Sequence, residues 1–281
     1  YTGYYMTALL ELAELDEKEQ KEQAMLGRLE QAMNAHPTAL KPRLMLGRFY
    51  LSQGRAERVP LLFSDLDDIQ KRSPEVLTIL ALAQLSDKQH ADARYTLEQL
   101  VRSNPNAPSY HHLLAMAASQ SGDNDRARIE LGRALALDEN YLPSLVALAR
   151  ISLSEGETKE FEQNLDRLIK VAPDAPDVLR LRAASSQQQG DTYKAIELAL
   201  TAQSAAPTTR GMRELAAYLD RAGRSPEARE LQEEWIQEHP EDIPARLGLA
   251  GSFQRDQELD KAKNQYEAIL QLDPDNLVAL N

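Results

Sequence analysis

The chain has 281 residues, a formal charge of −12 and no cysteine, with 42% hydrophobic but only 5% aromatic residues. The missing thiols exclude disulfides, thiolate metal sites and cysteine nucleophiles, and the acidic balance argues against a general nucleic-acid surface, which needs a basic excess to displace counterions. No stretch approaches the ~20 consecutive apolar residues that span a bilayer, and Ala and Leu dominate the apolar set, which suits close-packed helices.

In chain order, Tyr1 to Leu15 already reads as helix, with no charged-then-apolar leader before it. Pro37 closes a first unit. Pro74 follows 37 positions later and Pro105 a further 31, which reads as an insertion of three corrected by a deletion of three. Val59 stands where Ala is expected, and Pro60 after it lacks an N–H, which is harmless only in a first helical turn. A distorted joint is therefore predicted over Arg55 to Asp87, as a longer helix followed by a shorter one.

From Pro105 onward the period is regular. Steps of 34 lead to Glu139, Pro173 and Pro207, then one of 33 to Pro240 and one of 34 to Pro274. The best-formed unit runs from Pro108 to Tyr141: Leu113, Leu114 and Ala118 line a first helix, Gly122-Asp123 makes a turn, and Ala127, Leu131 and Ala134 line a second. Glycine suits a turn of positive φ after a helix end, and the same Gly-then-Ala step recurs at Gly190 to Ala195 and Gly223 to Ala228. Small residues at Ala115, Ala149, Ala183, Ala217 and Ala250 let paired helices approach closely. Phe161 replaces the second-helix Ala and Gln257 the turn Gly in single units. Ser225 before Pro226 reads as an N-cap. Leu277 to Asn281 looks like the opening of another unit, so an excerpt of a longer protein is expected. Recurrence at this period predicts a solenoid of helix pairs, each burying its apolar faces by stacking on its neighbours.

These residues resemble the tetratricopeptide repeat, with its small residue in the first helix, Gly in the turn, Ala early in the second helix and Pro at the exit. The resemblance implies an all-α fold: an α-solenoid, a right-handed superhelix of antiparallel helix pairs. It implies one domain over 1–281 with about eight repeats, at 6–39, 40–76, 77–107, 108–141, 142–175, 176–209, 210–242 and 243–276. It also implies a concave wall built from the first helices. Carried over by register, that wall holds Arg48, His112, Met116, Arg150, Arg180, Gln187, Tyr218, Arg221 and Arg255, of which Met116 and Tyr218 fit the core equally well. Five of the nine are Arg, so a strip less acidic than the rest of the chain is expected. Such a strip suits an extended peptide, an acidic segment or a polar glycan. The family's two-carboxylate clamp, a Lys-with-Asn pair, is absent: the inner positions hold Leu44 and Arg48, His112 and Met116, Val146 and Arg150, and Arg180 and Ala184.

Reaction chemistry finds little support. His36 and His239 sit near exit prolines, and no His pairs with Glu in zinc-protease spacing. His111 and His112 are adjacent on a helix and point about 100° apart, which suits structural roles. Neither a phosphate loop nor a Gly-x-Ser-x-Gly elbow occurs. Asp67-Asp68 and Glu233-Glu234 read as solvated faces, and Trp235 as a packing residue. No enzyme activity, cofactor or metal site is expected.

The stretch Glu234 to Asp242, with Tyr266 to Leu270 and Leu272 to Asn281, is similar to the terminal units of bacterial tetratricopeptide lipoproteins of the PEP-CTERM/exosortase sorting and exopolysaccharide system. That resemblance implies a periplasmic or outer-membrane-associated scaffold with a lipid anchor outside this segment; a cytoplasmic location stays open beside it. The expected function is a protein-protein interaction scaffold. Two alternatives stand: a polysaccharide-guiding module, and a regulatory arm of an enzyme elsewhere in the full chain.

Overall fold

The structure, a computed structural model, describes residues 2–280, and they divide between Ser144 and Leu145 into two compact units. Among the described residues all regular structure is helical. In the first unit, α1 (Thr2–Lys18) pairs with α2 (Glu22–Ala35), while α3 (Leu40–Ser52) is followed by two 3₁₀ turns, Ala56–Arg58 and Pro60–Phe63, and a short α4 (Asp68–Lys71). Then α5 (Pro74–Ser86) pairs with α6 (His90–Ser103), and α7 (Pro108–Gln120) with α8 (Asn124–Leu137). The helix α9 (Leu142–Ser154) leads into the second unit, with α10 (Thr158–Val171), α11 (Pro176–Gln188), α12 (Thr192–Ala205) and α13 (Thr209–Arg221). It ends with α14 (Ser225–Glu238), α15 (Ile243–Arg255), α16 (Leu259–Leu272) and α17 (Leu277–Leu280).

One turn design recurs along both units. A left-handed residue follows the first helix of each pair: Gln20, Gly54, Lys88, Gly122, Gly156, Gly190, Gly223 and Gln257, with φ between 57° and 86°. At Gly122 the amide donates to the Ser119 carbonyl while the Asp123 amide reaches back to Ala118. This pair of hydrogen bonds satisfies carbonyls that a helix end otherwise leaves open, and the other seven turns repeat it, down to Gln257 on Gln254 and Glu258 on Phe253. The left-handed residues step by 34 with a single 33 between Gly190 and Gly223.

That spacing corrects the proline count. Gly54 to Lys88 is one full step of 34, so nothing is inserted or deleted between them. Pro74 opens α5 as Pro108 opens α7 and Pro176 opens α11, each in the first turn where no N–H is needed. It belongs to a different position class from Pro37 and Pro105, and the expected boundary after residue 76 falls inside α5.

The joint itself is distorted, in a different way from the expected long and short helices, since α3 and α5 are both 13 residues. The partner of α3 is broken. Pro60 has no amide for a carbonyl one turn back, and the chain makes three-residue turns instead, Val59 on Ala56 and Leu62 on Val59. Val59, Phe63 and Leu66 still seal against Val76 and Ile79 of α5. Arg43, its side chain 8% exposed, ties the segment down. It grips both oxygens of Asp65 at 2.7 and 2.8 Å, the Pro37 carbonyl at 2.7 Å, and the Leu62 carbonyl. Gly47 of α3 lies so close to α5 that a Cβ there would stand 2.9 Å from Ile79 Cγ2.

Small residues fill the seams as expected at Ala115, Ala127, Ala149, Ala183, Ala195, Ala228, Ala250 and Ala262, all buried. In α13 the seam residue is Ala216 and Ala217 is exposed, because the 33-residue step shifts the register there by one. Phe161 is fully buried in its Ala position. Ser225 is the first residue of α14 rather than its cap, and Arg224 precedes it without a side-chain capping bond. Capping carboxylates elsewhere include Asp123, Asp191 and Asp242, each accepting the amide three residues on at 3.0 Å, and Asp67, which does so at 2.8 Å.

Candidate partner-binding wall

In the second unit the first helices of successive pairs bring a linked set of charges together. Arg150 on α9 donates to Asp177 Oδ1 on α11 at 2.7 Å, and Arg180, one turn beyond Asp177, reaches the same oxygen at 3.5 Å. Arg180 also donates to the Ala206 carbonyl at 3.4 Å. On α13, Arg210 Nε donates to Glu214 at 2.7 Å. The Arg210 and Glu214 charges act on Arg150, whose guanidinium burial pushes below its ordinary value while Asp177 opposes the shift. Further along, Arg255 of α15 donates to Asp220 Oδ2 and to Ser252, both at 2.9 Å. Arg221 is exposed and makes no ion pair among the described residues.

The expected basic strip is therefore mostly compensated. Arg150, Arg180 and Arg255 each have a carboxylate, and the sequence reading missed Asp177, Glu214 and Asp220. The i,i+3 step from Asp177 to Arg180 and the i,i+4 step from Arg210 to Glu214 were the available signals. An excess still remains: Arg150, Arg180, Arg210, Arg221 and Arg255 face Asp177, Glu214 and Asp220, within a chain of net charge −12. Two acceptors on this wall, Gln187 Oε1 and Asp220 Oδ1, are buried with no donor.

Tyr218 lies in the core, 7% exposed, between Leu215, Leu219 and Ala228. Burial, then the Glu214 carboxylate, pushes its hydroxyl above the usual range. In the first unit Arg48 is exposed, whereas Met116 and His112 are half-buried. The His112 ring meets Tyr141 edge-on, 5.9 Å between centroids, with the Ser144 hydroxyl 3.4 Å from Nδ1. Burial depresses its pKa.

The remaining candidates have packing roles. Trp235 stacks on His239 at 4.1 Å and donates its indole N–H to Asp242 at 2.7 Å. Among the described residues no three His, Asp or Glu side chains cluster as a metal site, and no helix is long and apolar enough to cross a membrane.

Family models for the tetratricopeptide repeat match residues 75–107 and 118–184. Those spans take in the α5–α6 pair and the α8-to-α11 run described above. The chain carries tetratricopeptide repeats over those two spans. No curated protein matches it in sequence. Among solved structures it is similar to the APC/C hetero-tetramer Cut9-Hcn1, at 14% identity and TM-score 0.66, covering 97% of this chain and 54% of that one. It is similar also to yeast Tom70, at 16% identity and TM-score 0.66, covering 92% and 58%. A tetratricopeptide repeat protein from Parabacteroides merdae gives 12% identity and TM-score 0.60, covering 99% of this chain and 96% of that one. The chain spans little more than half the length of the first two. The Arg150–Asp177–Arg180 cluster bridges α9 and α11, the first helices of successive repeats, and the fold supports a protein-interaction scaffold.

Proposed function

We propose that the protein is a non-catalytic scaffold whose second unit holds an extended acidic peptide along the first-helix wall. The observation that carries this reading is the cation excess there, with Arg221 exposed and unpaired. Peptide carboxylates suit the exposed Arg210 and Arg221. Because helices preform the wall, the scaffold loses little entropy on binding, and modest contacts add along the peptide. The polysaccharide alternative loses its aromatic platform on this wall with Tyr218 in the core. The bacterial envelope setting, with a lipid anchor outside this segment, is part of the same proposal and rests on the C-terminal resemblance.

Fluorescence anisotropy with a Glu-rich decapeptide and a Gln-rich control of equal length tests the reading. The acidic peptide should bind more tightly, with the preference fading as salt screens exposed charges. Equal binding of the two peptides, or none, would overturn it.

A further inference from the structure

Three large apolar side chains of the first unit share one repeat position and face solvent: Leu61, Tyr95 and Ile129, spaced by 34 and exposed by 73%, 64% and 58%. The repeat does not require this. The same position in the second unit holds Gln163, Glu197, Glu230 and Asn264, all exposed. An ion pair shows that the α6 and α8 surfaces adjoin, since Glu98, one turn after Tyr95, accepts from Arg126, one turn before Ile129, at 2.7 Å.

Gly132 is a second, independent anomaly. It sits inside α8, one turn after Ile129, exposed, and a Cβ built on it would meet nothing within 4 Å. Glycine in a helix interior costs roughly 0.5–1 kcal/mol relative to alanine, and no neighbour within the fold requires it. A glycine beside exposed apolar side chains permits close approach by another backbone.

We propose that this second-helix face of the first unit docks a single amphipathic helix from a partner, laid across α6 and α8 with its backbone over Gly132. Three such side chains expose together only a few hundred Å², well short of the ~800 Å² per partner of a stable interface between two copies. Glu98 is already shared by Arg102 and Arg126, and Glu130 by Arg133 and His111, so the face selects apolar contact rather than a charged ligand. The Glu98–Arg126 ion pair sets the α6 and α8 faces side by side, and a partner helix laid across both would present apolar anchors two turns apart, at every seventh residue. This surface is separate from the wall of the second unit and stands or falls without it.

The test is anisotropy of a labelled 21-residue Ala/Gln-rich helical peptide with Leu at every seventh position, against its scrambled control, using the whole chain. Saturable binding of the patterned peptide alone is expected, weakened at least tenfold by Tyr95→Glu and by Ile129→Glu. Gly132→Gln should weaken it similarly while leaving the melting temperature unchanged or higher, which a purely structural role would not produce. Absent binding, or binding indifferent to all three substitutions, overturns the proposal. So does sedimentation of the unmodified chain as a dimer that Ile129→Glu dissociates, or flotation with neutral phosphatidylcholine vesicles that Tyr95→Glu abolishes.

Discussion

His111 Nδ1 lies 2.8 Å from Glu130 Oε2 in the seam between α7 and α8, with both side chains under one-tenth exposed. The other ring nitrogen faces the Pro105 carbonyl at 3.2 Å, and Arg133 donates to the second Glu130 oxygen at 2.6 Å. One imidazole thus ties the loop before the pair to both of its helices. The adjacent His112 points elsewhere, toward Tyr141, as the ~100° step between helical neighbours requires.

His111→Leu strands Glu130 in the seam with one partner instead of two. Losing a buried hydrogen bond to a charged group typically costs ~1.5–3 kcal/mol, and the lower end is expected because Arg133 remains. The double substitution His111→Leu with Glu130→Leu should recover part of that loss. Denaturant melts of the two singles and the double check it, and an additive double would count against coupling.

Burial lowers the His112 pKa in the folded state below its ordinary value of 6.5. The unfolded chain therefore binds the proton more readily, and stability must drop as pH falls from about 6.5 through the folded value. His112→Phe keeps the ring edge against Tyr141 and removes the titration. A flatter stability profile between about pH 7 and pH 5 is expected for the variant; identical slopes would contradict the assignment.

Lys88 and Gln257 pay for left-handed backbone that their glycine counterparts adopt freely, with φ of 59° and 60°. Lys88→Gly and Gln257→Gly should each stabilise by ~1 kcal/mol, and Gly122→Ala should destabilise by a similar amount. Thermal melts decide the signs, and a neutral Gly122→Ala would contradict the turn geometry.

The repeat framework was legible because the period lies in turn and seam chemistry, Gly122, Gly190 and Ala127 among them. Two details stayed hidden. Pro74 looked like an exit proline because only the helix start distinguishes it from Pro105, and Gln20 and Lys88 carry no compositional sign of their backbone, whereas register alone placed Gln257 in a turn. The first-helix arginines could be read from the sequence but their pairing could not, since Asp220 and Arg255 are 35 residues apart and meet only through helix stacking. Tyr218 falls in the core and Ala217 outside it because the 33-residue step moves the register by one residue.

The broken segment over residues 56–71 has three-residue turns where other repeats have a continuous second helix. Such turns protect amides less well than a packed helix. Hydrogen exchange should therefore proceed faster there than in α6 or α8. Equal protection would show that the Arg43 bonds alone suffice to hold it.

The wall of the second unit as an acidic-peptide site is tested most directly by titrating the Glu-rich decapeptide into the double variant Arg210→Gln with Arg221→Gln. Both side chains are exposed, so the fold should survive, and circular dichroism confirms it. Each exposed charge contact contributes about 0.2–1 kcal/mol, so affinity should fall several-fold and the salt dependence should flatten. Unchanged affinity in a folded variant would contradict the account.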